Sequence, residues 1–314
     1  MPTSISPEAQ AMLALGPIGP PPGSSPPLDD VDGWKKLIAE HEAMVLEMLG
    51  SDAVTISDEV VVEDVDLGGC TLSKIRPPSV AVDDRRVYLE IHGGSWTEGG
   101  GAVGRKRASN TAQELGASVW YVDYRMPPDH PYPTPLDDCV AAYRALLEER
   151  RPAEIVIGGP SAGANLAPAT VLRARGEGLP VPAGMILLSV AGDLTGSGDT
   201  WYTNEGIDTV LRGMQLEPAL LYANGHDLRD PYLSPIYGDF SRGFPPTMLI
   251  SGTRDKLLSD TVRLHRALRR AGIEAELHVW EAATHAMFLG LAPEDRERSA
   301  EMKRFAERCW GRAA

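Results

Sequence analysis

The feature that most constrains the fold is an alternation of short, β-branched apolar runs with longer stretches of helical periodicity. ASVWYVDY (117–124) is followed by LDDCVAAYRALLEER (136–150), and EIVIGG (154–159) by NLAPATVLRARGEG (165–178). AGMILLSV (183–190) stands next, then PPTMLISG (245–252) before SDTVRLHRALRRAG (259–272), and AELHVWEA (275–282) before PEDRERSAEMKRFAERCW (293–310). Consecutive strands joined through helices run parallel, and their crossovers cover both faces of the sheet. Three further strand-like runs, EVVVEDV, CTLSKI and RRVYLEIHGG, precede the alternation from about residue 55. The expectation is an α/β chain with a mostly parallel sheet flanked by helices.

Two stretches depart from this pattern. Residues 16–27, GPIGPPPGSSPP, hold too much proline and glycine for regular structure. They lead into DDVDGWKKLIAEHEAMVLEML, where Trp34, Leu37, Ile38, Val45, Met48 and Leu49 mark one helix face. Between Ser189 and Pro245 the alternation stops, yet the segment carries Trp201, Tyr202, Leu211, Met214, Leu220, Leu221 and Tyr222. A connection this long with its own apolar residues is expected to be a lid or binding wall. The chain therefore divides into an N-terminal cap segment (1–50), a core (51–190), a cap insertion (191–245) and the rest of the core (246–314).

Within the core, IGGPSAGANLA places Gly159 and Gly163 symmetrically about Ser161, at the end of a strand-like run and the start of a helical one. A serine on such a strand-to-helix corner is exposed for nucleophilic attack, and glycine fits where a side chain would meet the adjoining strand. An ordinary tight turn is the alternative. Acyl transfer from serine needs a base and a group that orients it, expected later in the chain in the order acid, then histidine. Asp255, in LISGTRDKLLSD, follows one strand, and His285, in EAATHAMF, follows the next. All three fall at the carboxyl edge of the sheet, where open α/β sheets bind ligands. Asp260 is the alternative acid, although Ser259 and Asp260 are expected to cap the following helix. His92, in YLEIHGGSWTEGG, precedes the serine and suits a structural place in a glycine loop. Gly93, Gly94 and Ser95 of that loop, with Ala162 after the serine, are the expected backbone donors to an oxyanion.

Taken together, HGGSW (92–96), DYRMPPDHPYPTPLDD (123–138), GPSAG (159–163), Asp255 and His285 resemble the hormone-sensitive-lipase-like branch of the α/β-hydrolases, its bacterial esterases and lactone hydrolases in particular. GDLTGSGDTWYTNEGID and DPYLSP are similar to that branch's lid region. The resemblance implies the eight-stranded α/β-hydrolase sheet and a helical cap formed by the N-terminus and the 191–245 insertion. It also implies hydrolysis of short- to medium-chain carboxylic esters or lactones by Ser161, His285 and Asp255 through an acyl-enzyme, with no metal or organic cofactor. Trp96, Trp201, Tyr202 and Met214 are candidate substrate-binding residues, or else core of the insertion itself. An amidase would use the same residues, and a catalytically inactive receptor would be expected to have lost one of them. The family implies a monomer or homodimer, with AELHVWEA and the last helix as one edge for pairing. Two positions depart from its pattern: Ser95 stands where a third glycine is usual, and Pro160 where an acidic residue commonly precedes the nucleophile.

A formal net charge of −14 opposes association with nucleic acid or an anionic membrane. No run of about 18 apolar residues offers a membrane span. Cys70, Cys139 and Cys309 are odd in number and widely spaced, so a reducing, cytoplasmic setting is expected.

Overall fold

The computed structural model describes residues 1–18, 23–50, 54–212, 216–285 and 287–311. Its centre is an eight-stranded sheet in the order β1-β2-β4-β3-β5-β6-β7-β8. The strands are β1 (Val61–Asp66), β2 (Thr71–Arg76), β3 (Val87–Ile91), β4 (Ser118–Asp123), β5 (Ile155–Pro160), β6 (Gly184–Leu188), β7 (Thr247–Gly252) and β8 (Ala275–Trp280). β2 is antiparallel to β1 and β4, and every other pairing is parallel. The expected sheet and its strand runs are therefore present.

The central strands are buried on both faces, which is why they read as continuous apolar runs. Leu89 and Ile157 look toward a core completed by Leu136, Cys139 and Leu146 of α4 (Thr134–Glu149), Leu166 of α5 (Ala162–Gly176) and Leu264 of α8 (Leu258–Arg270). Tyr88 and Val156, one residue out of step, look toward Ala108 and Ala112 of α3 (Gly101–Leu115) and Phe305 of α9 (Pro293–Gly311). The period of two along each strand thus feeds one apolar core on each side.

Ahead of the sheet come α1 (Pro7–Ala14) and α2 (Val31–Leu49). Ser6 caps α1 through Oγ, which accepts from the Ala9 amide at 3.1 Å, and Asp30 caps α2 through the Gly33 amide at 2.9 Å. Along α2, Trp34 is buried and Leu37, Ile38 and Val45 are half-buried; the side chains of Met48 and Leu49 lie outside the described residues. This face reaches the loop after β3, where His41 Nδ1 lies 3.7 Å from a Glu98 carboxylate oxygen. Between β6 and β7 the described residues form the short helices α6 (Thr200–Thr203) and α7 (Glu217–Ala223) and a 3₁₀ turn at Pro235–Tyr237.

Candidate active site

β5 delivers Ser161 at its carboxyl end, and α5 begins at the next residue. Ser161 has φ 54° and ψ −116°, a backbone conformation that costs on the order of 1–3 kcal/mol and persists only where its surroundings enforce it. Here the enforcement is visible. The Ser161 amide donates to the Leu188 carbonyl at 2.8 Å, and Cβ atoms on Gly159 or Gly163 would each stand 1.9 Å from the Ile91 carbonyl oxygen. The two glycines are required because β3 passes directly against the corner.

Asp255 and His285 arrive from the turns after β7 and β8. His285 Nε2 lies 2.9 Å from Ser161 Oγ, and His285 Nδ1 lies 3.3 Å from Asp255 Oδ1. The buried Asp255 carboxylate also accepts from Ser251 Oγ at 2.7 Å and from the Leu257 amide at 2.9 Å. Burial disfavours the charge of this carboxylate, but the hydrogen bond and charge of His285 and the serine hydroxyls hold its pKa below the usual value. Burial likewise disfavours the imidazolium of His285. The Asp255 hydrogen bond and the charges of Asp255 and Asp208 outweigh it, so the imidazole pKa is raised.

The geometry corrects one expectation. α8 starts at Leu258, so Ser259 and Asp260 lie within its first turn and do not cap it. The Ser259 amide donates to Thr200 Oγ1, and Asp260 Oδ2 accepts from the Asp193 amide. Tertiary partners from the insertion have taken the place of the local cap. Asp260 is thereby turned toward Asp193 and Arg263, and Asp255 is the carboxylate paired with His285.

The loop after β3 lies against the serine corner: a Cβ on Gly93 would be 2.9 Å from the Pro160 carbonyl oxygen and 3.3 Å from Ser161 Cβ. Gly94, Ser95 and Trp96 have φ values of 109°, 54° and 63°, a run of left-handed backbone closed by the Thr97 and Glu98 amides donating to the Gly94 carbonyl. Among the described residues, the amides of Gly94, Ser95 and Ala162 have no acceptor. His92 stacks on Tyr124 with ring centroids 4.0 Å apart, and its Nδ1 is 2.7 Å from the Gly93 carbonyl oxygen. Burial pushes its pKa down to about 4, so the ring is neutral and serves the shape of the loop.

Three of the four candidate pocket side chains have distinct surroundings. Trp96 is buried and stacks on Tyr222 of α7 at 5.0 Å. Trp201 is buried with Nζ of Lys256, from the turn before α8, over its ring at 5.5 Å. Tyr202 is 62% exposed, and Met214 lies outside the described residues. Sequence reasoning missed Asn204 and Asp208, buried residues of the insertion that touch the Asp255 turn. Both lie in the lid-like stretch GDLTGSGDTWYTNEGID, which marked a region but gave neither residue a role.

The chain that carries this arrangement, a serine on a strained strand-to-helix corner answered by a histidine and an acid from the last two strand ends, is similar to known proteins. Residues 88–289 match a family described as having the alpha/beta hydrolase fold. The chain belongs to this family. A protein named acetyl-hydrolase from Streptomyces hygroscopicus is 35% identical over 70% of this chain and 73% of its own length. An esterase from Acinetobacter venetianus is 29% identical, over 79% of this chain and 82% of its own. The crystal structure of an esterase E25 superimposes with a TM-score of 0.87 at 34% identity, covering 97% of this chain and 94% of that one. An esterase from the bacterial hormone-sensitive lipase family superimposes with a TM-score of 0.81 at 28% identity, covering 98% of this chain and 100% of the other. The hydrolase described here thus keeps the fold of that branch along almost its whole length.

Among the described residues, no helix is long and apolar enough to cross a membrane.

Proposed function

We propose that this hydrolase is a serine carboxylesterase acting on small carboxylic esters, acetyl and other short acyl esters foremost. The observation that carries the reading is the 2.9 Å contact of His285 Nε2 with Ser161 Oγ, backed by Asp255 on the other ring nitrogen. His285 takes the Ser161 proton as Oγ bonds to the ester carbonyl carbon, and the carbonyl oxygen becomes an oxyanion. Amides of Gly94, Ser95 and Ala162 are the donors available to it, each worth about 3 kcal/mol in comparable sites. Collapse of this intermediate breaks the ester C–O bond, and His285 returns the proton to the departing alkoxide. Water then attacks the acyl-serine by the same route, releasing the carboxylic acid. Asp255 stays ionised throughout, fixing the tautomer and the ring.

The acetyl-hydrolase and esterase names of the relatives support the substrate class. The thiols of Cys70, Cys139 and Cys309 are all buried, in keeping with a reducing, cytoplasmic setting. The test is turnover of p-nitrophenyl acetate together with labelling by a fluorophosphonate probe. The reading requires one adduct, mapped to Ser161; turnover that persists with Ser161 unlabelled would end it.

A further inference from the structure

Residues 204–209 of the insertion run across the two turns that carry Asp255 and His285. Asn204 is buried, and its side-chain amide donates to the backbone carbonyls of Asp255 at 2.9 Å and Thr253 at 3.2 Å. Asp208 is 2% exposed, and its Oδ2 accepts from the Lys256 amide at 2.9 Å, one residue beyond Asp255. Its Oδ1 accepts from the Val210 amide at 2.9 Å and sits 3.4 Å from the His285 amide. Thr209 adds a hydroxyl contact of 3.2 Å to Thr284, and its carbonyl accepts from the Ile18 amide at 2.8 Å. One short segment therefore grips the acid turn, the histidine turn and the N-terminal segment.

A buried carboxylate is costly unless its lone pairs are met, and Asp208 meets them with backbone amides alone. The Val210 and Leu211 amides lie in its own loop, but those of Lys256 and His285 are 48 and 77 residues away, so a hydrogen-bonding role within its own loop accounts for only part of what the carboxylate does. Its charge also falls beside a second carboxylate, because Asp208 and Asp255 each act on the same imidazole. Burial and then the Asp255 charge raise the Asp208 pKa, a cost that asparagine, which could accept part of the same bonds, would not carry.

We propose that Asp208, seconded by Asn204, is a positioning residue: it locks the Asp255 and His285 turns into register and adds a second negative charge facing the imidazole. The inference rests on the Ser161–His285–Asp255 reading above. The charged side chains facing the ring are Asp255 from the β7 turn and Asp208 from the insertion. Lys256, next to Asp255, pairs its ammonium with Glu205, and the β6 end contributes the neutral Ser189, whose Oγ donates to the His285 carbonyl at 3.0 Å.

The test is Asp208→Asn in the full chain, with kcat expressed per serine titrated to completion by the fluorophosphonate probe. Misplacing the histidine is expected to lower kcat about 10-fold to 100-fold. KM should stay within about 2-fold, since the substrate-binding surface is untouched. The acid limb of the pH–rate profile should move to lower pH, because one of the two charges favouring the imidazolium is gone. Asp208→Glu, which keeps the charge, should lose turnover without moving the limb. Unchanged turnover per labelled serine in Asp208→Asn, or a loss with an unmoved limb, overturns the proposal. If Asp208→Asn yields no folded protein, Asn204→Ala carries the test: reduced kcat per labelled serine is expected, and wild-type turnover overturns it. A wild-type chain that takes no label at Ser161 fails the carboxylesterase reading instead, which keeps the two failures apart.

Discussion

His285 Nε2 and Ser161 Oγ stand 2.9 Å apart although 124 residues separate them in the chain. The sheet order accounts for this, since β5 and β8 end at the same edge with β6 and β7 between them. Replacing Ser161 with alanine removes the oxygen that the proposed reaction acylates. Turnover of p-nitrophenyl acetate should fall by on the order of 10⁴-fold or more, by analogy with serine knockouts in other hydrolases. Alanine meets the same positive φ, so thermal denaturation should show a Tm close to that of the parent. Substantial residual hydrolysis in well-folded Ser161→Ala would remove Ser161 from the reaction.

The same pair sets the pH dependence. His285 accepts a proton only when neutral, and its pKa is raised because Asp255 and Asp208 outweigh burial. Activity should therefore decline, as pH falls, with a midpoint above the ordinary imidazole value of about 6.5. A profile of kcat/KM against pH reports this midpoint for the free enzyme. Full activity persisting well below that value would contradict the assignment of His285 as base.

Gly163 tests the corner by volume alone. A Cβ there would lie 1.9 Å from the Ile91 carbonyl oxygen and 2.7 Å from that of His92, both backbone atoms that cannot swing aside. Gly163→Ala must push β3 and its oxyanion loop away from Ser161, at a cost of about 3 kcal/mol or more. For a chain of this size that is a Tm loss of roughly 5–10 °C. Loss of esterase turnover should accompany it, and a variant with parental Tm would show that β3 does not press on the corner.

What could be read from the chain, and what could not, follows from where the partners lie. The central strands were legible because burial on both faces makes them continuous apolar runs, and helices such as α4 and α8 because each buries a periodic apolar face. α3 was not, because its buried face is Gly104, Ala108, Ser109, Ala112 and Leu115. Small residues are needed there: a Cβ on Gly104 would come within 2.1 Å of Tyr121 Oη, so the helix packs too closely for a conventional apolar stripe. Ser161, Asp255 and His285 were legible because each follows a strand in a fixed order. Asn204 and Asp208 were hidden, since a polar residue in a long insertion declares nothing until its acceptors and donors from Thr253 to His285 are brought to it. The local cap assigned to Ser259 and Asp260 failed for the same reason, with Thr200 and Asp193 supplying partners from 59 and 67 residues away.

Asp260 offers a last prediction, on stability. It is buried beside the Asp193 carboxylate, and burial first, then that neighbouring charge, raises its pKa to about 8, with Arg263 only partly offsetting them. The folded chain then holds a proton that an unfolded aspartate releases near pH 3.9. Stability consequently falls as pH rises from that value toward about 8, by at most about 1.4 kcal/mol per pH unit, and the penalty is constant above. Asp260→Asn has nearly the shape of the protonated acid and does not titrate. Its Tm relative to the parent should rise steadily between pH 5 and pH 8, whatever the offset at the acidic end. A Tm difference that stays flat across that interval would mean that Asp260 is ionised in the folded protein, with Arg263 or an adjusted Asp193 compensating its charge.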